Sequence, residues 1–131
     1  MGRLKIYFDG GCRPNPGVME TAVVARGITY FQRDCGFGSS NEAEWLALIE
    51  ATTLALSIGE HNVALLGDSA LVVLQANGVN KCRDSILRAH LNIFMELKSE
   101  FTKVTVARIA RSQNLAGIAL TKLRWQPNQE P

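Results

Sequence analysis

Several features that would restrict this chain to a specialised class of protein are missing from its 131 residues. No apolar run approaches the ~18 residues that a transmembrane helix needs, so no membrane partner is expected. Cys12, Cys35 and Cys82 are odd in number and form no CxxC pair, which favours reduced thiols over a disulfide framework or a zinc site. The net charge is only +2, whereas proteins that depend on unspecific attraction to phosphate are far more basic. Any contact with nucleic acid is therefore expected to be local and geometric.

The chain also lacks internal repeats, low-complexity tracts and linker-like stretches. Its 47% hydrophobic and 20% charged residues are ordinary globular values, and a chain of this length can bury roughly two-thirds of its unfolded surface. The N-terminal stretch MGRLKIYFDGG has no apolar segment followed by a cleavage site, which predicts no secretory signal. We therefore expect one cytoplasmic, monomeric domain covering residues 1–131.

Hydrophobic periodicity predicts five strands and four helices. The first three strands, at Leu4–Asp9, Met19–Arg26 and Gly27–Cys35, are joined by short turns, so an antiparallel meander is expected. The remaining predicted elements are the helix Asn41–Ile58, the strand Val63–Leu66, the helices Ser69–Ala76 and Ser85–Phe101, the strand Val104–Ile109 and the helix Leu115–Arg124. This order predicts an α/β fold in which helices cover the faces of a mixed sheet.

Capping residues define the expected helix ends. Ser40 or Asn41 is expected to cap the long helix, which Gly59 should end. The preceding segment Gly36–Ser40 is predicted to be a loop. Trp125 and the following QPNQEP are expected to be a helix end and a disordered terminus.

Three acids lie at the ends of predicted elements. Asp9 follows the apolar part of the first strand, and Asp68 follows the strand VALLG in the same way. Glu44 lies in the first turn of the long predicted helix. Neighbouring strands lie ~4.8 Å apart, so acids at the ends of two central strands can converge. Clustered carboxylates repel one another and are tolerated mainly where a cation such as Mg²⁺ or Mn²⁺ binds.

Taken one at a time, each acid also has an ordinary structural interpretation. Asp9 before a glycine fits a turn residue whose side chain bonds the backbone. Asp68 fits a helix cap, and Glu44 fits a first-turn acid favoured by the helix dipole, a description that Glu42 shares. Only the combined pattern favours a functional site.

Four blocks of sequence follow one another along the chain: YFDGGCRPNPG, SSNEAEWLALIEA, LLGDSALVV and RSQNLAGIAL. In order, spacing and length they resemble the ribonuclease H family, type 1 ribonuclease HI-like domains in particular, over about residues 4–124. The resemblance implies a ribonuclease H-like fold with a mixed five-stranded sheet, three antiparallel strands followed by parallel strands, flanked by helices. It also implies a metal-dependent endonuclease that hydrolyses the RNA strand of RNA/DNA hybrids.

Carried over residue by residue, the resemblance implies that Asp9, Glu44 and Asp68 are the catalytic and metal-binding carboxylates. Two Mg²⁺ or Mn²⁺ ions about 4 Å apart would clamp the scissile phosphate, one activating water and the other stabilising the leaving oxygen. The expected substrate-binding residues are Gly10, Gly11, Asn15, Ser40, Asn41 and Ser69, with Ser39 and Gly17 as further neighbours. The two asparagines would contact the sugar–phosphate backbone from the minor groove, and the glycines would allow close approach.

The chain departs from the family pattern at Gly117. The family carries a fourth acid at the start of the last helix, where this chain has NLAG at residues 114–117. The histidine that many members carry in the preceding loop is also replaced, since residues 110–113 are ARSQ. We therefore expect a slow or Mn²⁺-preferring nuclease that Gly117→Asp accelerates.

Two other functions are compatible with parts of the sequence. Gly117 favours a catalytically inactive ribonuclease H-like module that binds nucleic acid or a protein partner. The intact trio Asp9, Glu44 and Asp68 favours the enzyme, because a module without chemistry has no evident need for three mutually repelling acids. A nucleotide-binding α/β domain that uses the FDGG turn is disfavoured, because the chain has neither a GxGxxG loop nor a P-loop lysine.

Overall fold

Six strands form one mixed sheet in the computed structural model, which describes residues 3–124. The strands are Leu4–Cys12 (β1), Gly17–Ala25 (β2), Ile28–Gln32 (β3), Phe37–Gly38 (β4), Asn62–Gly67 (β5) and Lys103–Arg108 (β6). Their order is β3-β2-β1-β5-β6, and β4 pairs with β2. The first three strands pair antiparallel, whereas β5 pairs parallel with both β1 and β6. The predicted α/β architecture is confirmed, with the short β4 as an additional strand.

Four helices flank this sheet. They are Ser40–Ile58 (α1), Ala70–Ala76 (α2), Ser85–Lys98 (α3) and Leu115–Arg124 (α4), and a 3₁₀ turn at Arg111–Gln113 precedes the last. Successive side chains of β1 point to opposite faces of the sheet. Phe8 packs into the cluster that contains α1, whereas Tyr7 packs against the cluster that contains Ala116 and Leu120 of α4. α1 and α4 therefore cover opposite faces.

Trp45 anchors the larger core beneath α1. It is fully buried, its ring meets that of Phe94 edge-on at a centroid distance of 6.1 Å, and its Nε1 donates a 2.9 Å hydrogen bond to Oε1 of Gln75. These contacts join α1 to α3 and α2. Fully burying a large apolar side chain contributes about 1.5–3 kcal/mol, so Trp45 stabilises the packing of α1 against α2 and α3.

Some predicted boundaries were wrong. β1 continues past Asp9 to Cys12, because Gly10 and Gly11 pair with Thr21 and Glu20 of β2. Ser39 caps α1, since its hydroxyl accepts the N–H of Glu42 at 3.1 Å, so neither Ser40 nor Asn41 has that role. The predicted end of α1 is confirmed.

Gly59 ends α1 in a left-handed conformation, with φ 86°, and its N–H donates to the last turn of the helix. Within residues 3–124, no helix is both long and apolar enough to cross a membrane. The expectations for Trp125 and the C-terminal tail lie outside the described residues.

Candidate functional site

The three carboxylates converge at one edge of the sheet. Asp9 lies on β1 and Asp68 directly follows β5, and the parallel register of these strands, with Tyr7 opposite Leu66, brings the two acids side by side. Glu44 reaches the same point from near the start of α1. One oxygen atom from each residue lies within 4.8 Å of the others. The convergence that the sequence predicted is therefore present in the fold.

A close approach between α1 and β1 positions Glu44. The N–H of Gly10 donates a 2.8 Å hydrogen bond to Oε1 of Glu44. A Cβ at Gly10 would collide with the carbonyl oxygen of Ala43 in α1. Gly10 is therefore required for helix packing, a reason that differs from the expected close approach of substrate.

Asn114 holds Asp68 from the other face of the sheet. Its side chain is fully buried, and its Nδ2 donates to the carbonyl oxygen of Phe8 at 3.0 Å and to Oδ2 of Asp68 at 2.9 Å. Its Oδ1 accepts the N–H of Ala116 at 3.1 Å. No role was predicted for Asn114 from the sequence. An asparagine directly before a predicted helix is a typical cap, but nothing in the sequence indicates the bond to Asp68.

Burial and mutual repulsion perturb this cluster. Burial, followed by the charge of Asp68, raises the pKa of Asp9 to about 6. Burial, followed by the charge of Asp9, raises the pKa of Glu44 to about 9. Such shifts measure the cost of holding these carboxylates ionised without a counter-charge. An oxygen-only donor set of this kind fits a hard divalent cation such as Mg²⁺ or Mn²⁺.

The carboxylates line an open groove of about 610 Å³. Its rim carries positive charge, contributed by Arg13, Arg111, Lys122 and Arg124. The groove therefore has an acidic floor suited to cations and a basic rim suited to an anionic polymer.

Most of the predicted substrate-binding residues also line this groove: Gly10, Gly11, Ser40 and Asn41. Asn15 is bonded to one of them, since its Oδ1 accepts the N–H of Ser40 at 3.1 Å. The hydroxyl of Ser69 caps α2 by accepting the N–H of Val72 at 3.2 Å. Neither Asn15 nor Ser69 is among the residues that line the groove. The roles of all six residues in substrate binding stay predictions.

Comparisons with known proteins identify the family. A family model described as reverse transcriptase-like matches residues 11–123. The ribonuclease HI of Halobacterium salinarum is 34% identical over 124 residues, and the match covers 91% of this chain. The chain belongs to the ribonuclease H family. It spans 62% of the length of that relative, and 32% of the length of a bifunctional protein of Mycobacterium tuberculosis to which it is 30% identical.

Solved structures of ribonucleases H share the fold. The crystal structure of RNase H1 from Halobacterium salinarum superposes with a TM-score of 0.83 at 31% identity, covering 92% of this chain and 99% of that one. LC11-RNase H1, solved in complex with an RNA/DNA hybrid, has a TM-score of 0.77 at 29% identity and covers 86% and 89% of the two chains. The ribonuclease H fold expected from the sequence motifs is confirmed.

Gly117 lies beside the carboxylates in this ribonuclease H fold. A Cβ built on Gly117 would lie 3.5 Å from Oδ2 of Asp9 and 3.6 Å from Oδ2 of Asp68. The first turn of α4 thus faces the carboxylates, and this chain places no side chain there. The basic residues Arg111, Lys122 and Arg124 were not predicted as site residues, because they meet at the groove only when α4 and the turn before it pack beside β1.

Proposed function

We propose that this protein is a divalent-metal-dependent endonuclease that hydrolyses the RNA strand of RNA/DNA hybrids. The observation that carries the proposal is the convergence of Asp9, Glu44 and Asp68 on the floor of a groove with a basic rim. Membership of the ribonuclease H family supports it, as does the likeness to LC11-RNase H1, which has been solved with such a hybrid. We also propose that the chain acts as a single monomeric domain; the cytoplasmic location stays a prediction.

In this proposal Asp9, Glu44 and Asp68 hold Mg²⁺ or Mn²⁺. When bound, such ions activate water and stabilise the charge that develops on the phosphate. The chain itself supplies orientation: Asn114 fixes one oxygen of Asp68, and the N–H of Gly10 fixes one oxygen of Glu44. Burial beside Asp9 raises the pKa of Glu44 to about 9, and a cation held by these carboxylates would lower it by favouring the ionised form.

Substrate recognition is proposed for the groove beside these carboxylates. Gly11, Ser40 and Asn41 lie along it, and Asn15 orients the backbone of Ser40. Contacts of this kind recognise the shape of a duplex and its sugar–phosphate backbone, and such contacts do not distinguish one base sequence from another. We expect cleavage without marked sequence preference.

Gly117 favours a second candidate function, an inactive module that binds nucleic acid or a protein partner. In the family a fourth acid at this position helps to hold one ion, and this chain has none there. With three carboxylates we expect a slow enzyme that prefers Mn²⁺. An inactive module would bind the hybrid and leave it intact in either metal.

A panel of substrates tests the proposal. RNA/DNA, RNA/RNA and DNA/DNA duplexes of the same sequence are each labelled on one strand, the RNA strand in the hybrid. Each duplex is incubated in Mg²⁺ and separately in Mn²⁺. We expect cleavage confined to the RNA strand of the hybrid, faster in Mn²⁺ and abolished in Glu44→Gln. Cleavage that persists in Glu44→Gln, or that favours another duplex, would contradict the proposal.

A further inference from the structure

Arg124 in the last turn of α4 forms an ion pair across the sheet with Glu20 of β2. Nε of Arg124 donates to Oε1 of Glu20 at 2.8 Å, and the two side chains are 20% and 17% exposed. Glu20 is the register partner of Gly11 on β1, and cross-strand partners point to the same side of a sheet. The pair therefore lies directly over Gly11.

Gly11 provides the space that the guanidinium occupies. A Cβ on Gly11 would lie 2.9 Å from Nη2 of Arg124, closer than real side chains approach. Gly11 and Asp9 are two residues apart on β1, so they face the same side and are separated by roughly 7 Å along the strand. The guanidinium is consequently the next group along the groove after the carboxylate of Asp9.

Most of the hydrogen-bonding capacity of this guanidinium is unused by the described part of the chain. A guanidinium carries five N–H donors, and Glu20 accepts the one on Nε. Nη2 is buried and, within residues 3–124, has no hydrogen-bond partner. The side chain borders the groove that holds the three carboxylates. The remaining donors form the planar fork that matches the oxygens of a phosphate.

We propose that Arg124 binds a backbone phosphate of the nucleic acid next to the phosphate at Asp9, and that Glu20 is its positioning residue. This inference rests on the proposed function, because it needs a nucleic-acid strand running along the groove. Glu20 fixes the guanidinium through Nε and leaves Nη2 without a hydrogen-bond partner among residues 3–124. Gly11 is the residue that permits this arrangement, because a larger side chain would displace the guanidinium from its position beside Glu20.

The test measures binding of an RNA/DNA hybrid to Arg124→Gln at several salt concentrations. All proteins carry Asp68→Asn, so binding is measured without cleavage and independently of whether the wild type cleaves. We expect Arg124→Gln to weaken binding about tenfold, the value of one charged hydrogen bond. We also expect the slope of log affinity against log salt to fall by about 1, because one phosphate contact is lost.

Two further variants exclude a merely structural effect. Arg26→Gln removes an exposed ion pair with Glu60 outside the groove and should leave both affinity and salt slope unchanged. Arg124→Lys keeps the charge but not the fork, so it should retain the salt slope while losing part of the affinity. Thermal denaturation of each variant identifies any that fails to fold. If Arg124→Gln fails to fold, the affinity and salt slope of Arg124→Lys are compared with those of the parent protein instead.

The outcomes separate this inference from the proposed function. In one outcome, the hybrid binds with a slope of log affinity against log salt that falls in Arg124→Gln, while the wild type cleaves no hybrid. That result would contradict the nuclease proposal and support the phosphate site at Arg124. If the wild type cleaves, Arg124→Gln should raise KM more than it lowers kcat. An Arg124→Gln variant with the affinity and slope of Arg26→Gln would overturn the inference.

Discussion

At the scale of single residues, position 117 is where a fourth acid could join the three at the proposed metal site, and this chain has a glycine there. The space beside it is open to a side chain, because a Cβ would meet Asp9 and Asp68 at ordinary contact distances. Gly117→Asp would add a carboxylate there, and the helix dipole favours an acid in a first turn. We expect the hybrid cleavage rate to rise about 10–100-fold. Gly117→Ala is the matched control, and an unchanged or lower rate in Gly117→Asp would contradict this expectation.

Asn114 is the residue that links α4 to the site. Asn114→Ala would leave the carbonyl of Phe8 unpaired in the core and release one oxygen of Asp68. We expect the free energy of unfolding to fall by about 1–3 kcal/mol, measured by urea denaturation, and the affinity for Mn²⁺ to fall about tenfold or more.

Asn77→Ala provides a control for this prediction. It removes a comparable bond, from Nδ2 of Asn77 to the carbonyl oxygen of Val106, at a distance from the carboxylates. We expect it to lower stability and to leave Mn²⁺ affinity unchanged. Equal Mn²⁺ affinities of Asn114→Ala and the wild type would show that Asn114 does not position Asp68.

At the scale of secondary-structure elements, the packing of α1 on β1 determines the position of Glu44. Gly10→Ala would push the backbone of α1 away from the sheet, because the new Cβ collides with the carbonyl of Ala43. Overpacking of this kind costs about 1–3 kcal/mol, and we expect urea denaturation to report it together with a loss of cleavage. Gly117→Ala, whose Cβ meets nothing closer than 3.5 Å, should show no comparable destabilisation. Wild-type stability and activity in Gly10→Ala would contradict this account.

Local chemistry made some elements and acids predictable. The end of α1 followed from Gly59, and the three acids could be selected because each stood at the end of an apolar element. β1 was predicted too short, because the glycines after Asp9 signal a turn, yet the ladder with β2 continues through them. The two-residue β4 has too little sequence for any periodic signal.

The contacts of α4 were beyond prediction for a different reason. The bond from Asn114 to Asp68 spans 46 residues, and that from Arg124 to Glu20 spans 104 residues. Sequence spacing carries no information on pairs that meet only when a helix crosses a sheet. The need for a glycine at position 11 likewise could not be predicted, because it arises from the guanidinium of Arg124, which lies over Gly11 in the folded chain.

At the scale of the whole molecule, the carboxylate cluster couples stability to pH. The pKa values of Asp9 and Glu44 rise from 3.8 and 4.5 to about 6 and about 9 on folding. Between these values the folded protein binds more protons than the unfolded chain, so stability is lost as pH rises from about 4 to about 9. Without divalent cations, we expect the Tm of the wild type to fall over this range more steeply than that of Glu44→Gln.

Added Mn²⁺ should reverse this trend, because a bound cation replaces the protons and stabilises the folded state by mass action. We expect the Mn²⁺-induced rise in Tm to be larger at pH 8 than at pH 5 in the wild type, and small in Glu44→Gln. Parallel Tm profiles for the two proteins without metal would show that the cluster is not the source of the pH dependence.

The central claim is that three carboxylates suffice for metal-dependent hydrolysis of RNA in a hybrid. The most direct measurement is single-turnover cleavage of a hybrid labelled on the RNA strand, in Mn²⁺, with the wild type and Asp68→Asn purified side by side. We predict cleavage by the wild type that vanishes in Asp68→Asn. An intact RNA strand with wild-type protein that binds the hybrid would contradict the claim and favour the inactive binding module.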